Sequence, residues 1–101
     1  MKNSDSAAQL SAYRQTIDNL DAALVHILAE RFRCTNKVGE LKADQSWPAT
    51  DKNREAAQHA RLMGLAEGAG IDRFFVEELM RFIIGKVIQQ HKKIAQEKRS
   101  E

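Results

Sequence analysis

Residues 10–43 read LSAYRQTIDNLDAALVHILAERFRCTNKVGELKA, and the spacing of their apolar positions decides the fold. Leu10, Tyr13, Ile17, Leu20, Leu24 and Ile27 are followed by Cys34, Val38 and Leu41, a three-four alternation kept for more than four heptads. That period belongs to one amphipathic helix, and no proline interrupts it. The spacing predicts a single helix ending at about Ala43, about 50 Å long at 1.5 Å per residue. A helix of that length outreaches any core its own small chain could build, so it calls for a partner.

Downstream, Asp44 to Thr50 contains Trp47-Pro48 and breaks the pattern, because proline disfavours helix at the residue before it. Thr50 or Asp51 reads as the N-cap of a second, alanine-rich helix (Ala56, Ala57, Ala60, Leu62, Met63, Ala66), which Gly68 and Gly70 end. Asp72 caps a third helix with the apolar stripe Val76, Leu79, Met80, Ile83, Val87 and Ile94. The expected fold class is all-α, a long–short–long three-helix subunit in one domain over residues 8–96. Residues 1–7 are expected to be a disordered polar tail and residues 97–101 a frayed basic one.

Composition narrows the class. The 101 residues are 43% hydrophobic and 30% charged, with five glycines and one proline, which suits a helical globular chain better than a loop-rich one. The net charge of +2 arises from interleaved charges of both signs, without interspersed aromatics, so no nucleic-acid groove is expected. No apolar run is long enough for a membrane span, and no leader is visible. The single cysteine, Cys34, has no internal disulfide partner and fits a reducing compartment, so a cytoplasmic location is expected. Cys34, His59 and His91 are too scattered for a metal site, and no phosphate loop or Ser-His-Asp set occurs. No metal and no cofactor are expected. His26 falls on the outer face of the first helix.

Charges stand where the first helix wants apolar residues. The seam position between Ile27 and Cys34 is Arg31, a guanidinium that must find an anion or reach water. It can snorkel or pair with Glu30, or it can await a ligand; both readings stand at this point. Lys42 lies eleven residues on, nearly on the same face and roughly 16 Å along the axis, so the two cations could reach opposite ends of a small dianion. For Lys42 alone, an ordinary lysine near a helix end is the simpler reading. Arg14 shares the stripe but lies roughly 42 Å from Lys42, too far to serve the same pocket from the same chain. An antiparallel two-fold pairing centred near Leu24-Val25 would bring one subunit's Arg14 beside the other's Arg31–Lys42 stretch, making two composite sites. Asp51, Arg54 and Glu55 are spaced to share the first turn of the second helix, where acids also simply suit the dipole. His91 interrupts the inward stripe of the third helix one turn after Val87, a position more often filled by a packed histidine than a catalytic one.

These residues also carry a family resemblance. Tyr13-Arg14-x-x-Ile17-Asp18-x-Leu20-Asp21-x-x-Leu24, then Leu28-Ala29-Glu30-Arg31, resembles the opening of the AroQ-type chorismate mutases. Val38-Gly39-x-x-Lys42, Asp51-x-x-Arg54-Glu55 and Val76-x-x-Leu79-x-x-x-Ile83-Ile84 continue it, so that residues 8–95 are covered. The resemblance implies an intertwined helical homodimer that rearranges chorismate to prephenate. It implies that Arg31 and the partner's Arg14 hold the substrate carboxylates, and that Lys42 lies near the ether oxygen and a carboxylate. Glu55 would accept the substrate hydroxyl, with Asp51 beside it and Arg54 lining the site. The family's serine position falls on Val87, which removes a contact. Its glutamine position, a hydrogen-bond donor to the ether oxygen, falls on His91. Such a rearrangement needs no nucleophile and no proton transfer, so the missing triads and metal spacings do not count against it.

Two other functions fit parts of the pattern. An isochorismate–pyruvate lyase of the same fold would use a lysine at the Lys42 position, but a complete Asp51/Arg54/Glu55 set suits chorismate better. A non-catalytic helical dimer would explain the heptads and leave Arg31 without a reason.

Overall fold

The computed structural model describes residues 2–101, with side chains from Asn3 onward; Met1, the first residue of the expected tail, lies outside the described residues. Three helices follow one another: α1 (Lys2–Asp44), α2 (Lys52–Ala69) and α3 (Arg73–Ser100). No strand occurs among the described residues. The all-α, long–short–long reading therefore holds. Both ends are more helical than the sequence suggested. Asp5 suits the positive end of α1, and Lys98 and Arg99 suit the negative end of α3.

The chain divides into two units at Cys34/Thr35. In the first, every side chain from Asn3 to Ile27 is exposed, the predicted seam included: Leu10, Tyr13, Ile17, Leu20, Leu24 and Ile27 lie between 48% and 66% accessible. The amphipathic stripe is thus formed and uncovered within this chain.

In the second unit, the last turns of α1 join α2 and α3. Of the two candidate caps Asp51, not Thr50, starts α2, and Gly68 lies inside that helix, which Gly70 ends. Asp51 caps α2, its Oδ1 accepting from the Arg54 N–H at 3.1 Å, and Asp72 caps α3 through the Phe74 N–H at 3.0 Å. At the end of α2, the Gly70 and Ile71 N–H groups bond back to the Glu67 and Ala66 carbonyls, with Gly70 left-handed at φ 72°. This is a Schellman motif. α1 ends the same way, but its left-handed residue is Ser46 (φ 57°), and the Ser46 and Trp47 N–H groups bond to the Ala43 and Lys42 carbonyls. α2 packs on α3 around buried Ala66 and Ile83.

His91 fastens α3 to the end of α1. It is 5% exposed, and its Nε2 lies 2.8 Å from the Thr35 carbonyl oxygen. The ring lies so close to Gly39 that a Cβ there would stand 2.6 Å from His91 Cδ2 and 3.1 Å from Ile94 Cδ1. Glycine at 39 is therefore a packing requirement. Lower on the same seam, Lys98 Nζ donates to Asp44, and this hydrogen bond holds the lysine above its ordinary value of 10.5.

Candidate active site

The turn between α1 and α2 encloses the first element of the site. Lys42, half-buried in the last turn of α1, donates to the Ala49 carbonyl at 3.2 Å. An ammonium has three donors, so two remain for a ligand. Lys42 and Asp51 line one cleft of about 390 Å³, walled by Trp47 and Pro48. The structure thus brings these two sequence candidates together, one cation and one acid across a cavity of small-molecule size.

Glu55 faces elsewhere. It lines a groove of about 350 Å³ between α2 and α3, with apolar walls including Leu62, Met80 and Ile84. The other polar groups there are ones the sequence reading did not single out: Glu77 is bonded to Arg81 Nη2 at 2.7 Å and lies 3.7 Å from His59 Nε2. The i, i+4 spacing of Glu77 and Arg81 was the available signal. Asp51 and Glu55 line different ones of these clefts; Asp51 is a cap with extended backbone (φ −136°, ψ 98°) and leaves the helical phase that the spacing assumed. Arg54 is exposed, lining neither cavity, and Val87 is half-buried on α3.

Arg31 is half-buried, and its Nη1 is shut from solvent with no hydrogen-bond partner among the described residues. The ion pair with Glu30 considered above is not made; Glu30 Oε2 accepts instead from Arg33 Nη1 at 2.8 Å. A buried guanidinium nitrogen without a partner is costly unless an anion completes it. Arg14 is exposed on α1.

His91 has one nitrogen engaged by Thr35 and the other, Nδ1, buried without a partner. With Nε2–H donating to the carbonyl, the neutral ring carries only a lone pair at Nδ1, so a second donor exists only on the imidazolium. The Thr35 carbonyl and the Gly39 contact were not foreseen from sequence.

The unpartnered guanidinium nitrogen of Arg31 and, separately, the cleft that Lys42 lines with the capping acid of α2 each offer a small anion a cationic group. Residues 13–92 match the family described as chorismate mutase type II, and the chain belongs to that family. It is 34% identical over 77 residues to a T-protein of Enterobacter agglomerans, covering 76% of this chain and 21% of that one. It is 32% identical over 72 residues to a T-protein of Haemophilus influenzae, covering 71% and 19%. A bifunctional chorismate mutase/prephenate dehydratase of Buchnera aphidicola subsp. Schizaphis graminum is 26% identical over 89 residues, covering 88% and 23%. The chain spans about a fifth of the length of the curated relatives it matches.

Proposed function

We propose that this chain is a chorismate mutase, acting as a homodimer that converts chorismate to prephenate. The observation that carries the proposal is Arg31, whose Nη1 lies buried and unpartnered in a chain of this family. The site is built on Lys42 and Asp51, which share a cleft; Arg31, Arg54, Glu55 and the partner's Arg14 are assigned to it by the family pattern alone. The two arginines hold the carboxylates and select the folded conformer in which the ring and the enolpyruvyl side chain meet. As the carbon–oxygen bond breaks and the new carbon–carbon bond forms, negative charge gathers on the ether oxygen, and Lys42 stabilises it with a free N–H. Glu55 accepts the ring hydroxyl. Asp51 keeps its Oδ1 on the helix cap and lines the same cleft as Lys42. Val87 contributes apolar surface where the family has a hydroxyl. His91 donates to the ether oxygen only as imidazolium or with its ring swung off Thr35.

The dimer is supported by the stripe of α1, six large apolar side chains on one face that are 48–66% exposed. Incubation with chorismate, and separately with isochorismate, tests the reading. Formation of prephenate is expected. Pyruvate release from isochorismate without mutase turnover would make the chain a lyase, and inertness toward both would leave a helical dimerisation module.

A further inference from the structure

A second cleft, of about 400 Å³, shares Trp47 and Pro48 with the Lys42 cleft and is also lined by Ala43, Ala95, Lys92 and Arg99. Lys92, Ala95 and Arg99 are spaced i, i+3, i+7 and so share one face of α3. The lining holds two cations and no acid. Neither cation has a hydrogen bond or ion pair among the described residues, and the nearby carboxylate of Asp44 is already taken by Lys98. The helix dipole accounts for Arg99 in the last turn of α3, but not for Lys92 two turns earlier. Nor does it account for Trp47, which is 56% exposed and the chain's one tryptophan. An exposed indole beside uncompensated cations offers a stacking surface and a charge at once.

We propose that this cleft is a second small-molecule site, which takes an aromatic carboxylate with its ring against Trp47 and its carboxylate between Lys92 and Arg99. The site does not depend on the mutase reading, but it borders the Lys42 cleft. Trp47 and Pro48 line both cavities, and the Trp47 N–H is bonded to the Lys42 carbonyl at 2.8 Å. A ligand seated on the indole therefore bears on the backbone that carries Lys42.

Trp47 is its own reporter. Its emission, excited at the red edge clear of Tyr13, is followed while phenylacetate is added to the full chain, with phenylacetamide as the uncharged control. A saturable change with phenylacetate and none with the amide is expected. In the Lys92→Gln/Arg99→Gln variant binding weakens roughly tenfold or more, as loss of charge-assisted hydrogen bonds requires. In Lys42→Ala it persists. The single variants, with helicity checked by circular dichroism, serve if the double variant does not fold. The proposal is overturned by no saturable response, by an equal response to the amide, or by undiminished binding in the cation variants. Loss of the response in Lys42→Ala would put the probe in the neighbouring cleft and overturn it equally.

Discussion

Arg31 and His91 are both polar residues set into apolar seams, and they differ in what completes them. Arg31 Nη1 has no hydrogen-bond partner among the described residues, so removing it orphans none of them. Arg31→Ala is expected to change unfolding free energy by no more than about 1 kcal/mol in either direction. Mutase turnover should fall roughly a hundredfold or more, the effect of losing one preorganised charged contact. Urea denaturation and a chorismate assay on the same preparation check both halves; a variant that unfolds would make Arg31 structural. His91 is completed at Nε2 by Thr35, which leaves donation at Nδ1 to the imidazolium. If His91 donates to substrate, His91→Gln, whose amide also donates, should keep turnover that His91→Ala loses. Equal turnover in the two variants would leave His91 as a clamp between helices.

At the scale of elements, two helix ends have the same hydrogen bonds and different residues at their left-handed position. Gly70 adopts φ 72° without a Cβ to strain, whereas Ser46 adopts φ 57° with one. Ser46→Gly should therefore stabilise the fold by about 1 kcal/mol, read as a higher thermal midpoint. Gly39→Ala should do the opposite by ~1–3 kcal/mol, since its Cβ would strike the His91 ring. In a His91→Ala background the same change should become neutral or favourable, because alanine is the better helix former by about 1 kcal/mol. A double-mutant cycle measures that coupling, and additive effects would mean that the contact carries no strain. These cases mark what was legible in the chain. Caps and periodicity are local, so Asp51, Asp72 and Gly70 could be read directly. The Ser46 turn could not, because serine rarely adopts that conformation. The partnership of His91 with Thr35 spans 56 positions and leaves no local trace. The sequence put Asp51 and Glu55 on one face, whereas they line different clefts, because a cap residue does not obey helical phase.

At the scale of the whole molecule, the first helix is decisive. Its stripe from Leu10 to Ile27 was legible as a seam, and it remains uncovered in the single chain. Arg14 lies on that stripe, at the exposed part of α1, while Lys42 lies where α1 turns into α2. If the stripes pair two-fold as proposed, each site draws on both subunits, and the dimer and the chemistry should fail or recover together. Arg14→Ala and Lys42→Ala homodimers are each expected to be nearly inactive. When the two are unfolded and refolded together, a heterodimer contains one site with both residues intact and one with neither. Purified heterodimers should then regain about half the wild-type turnover per dimer, since one of two equivalent sites is whole. If Arg14 served its own chain's Lys42, each site in the heterodimer would lack one residue, and no activity would return. Separating the heterodimer by a charged tag on one parent, and assaying it before subunits exchange, distinguishes the two arrangements.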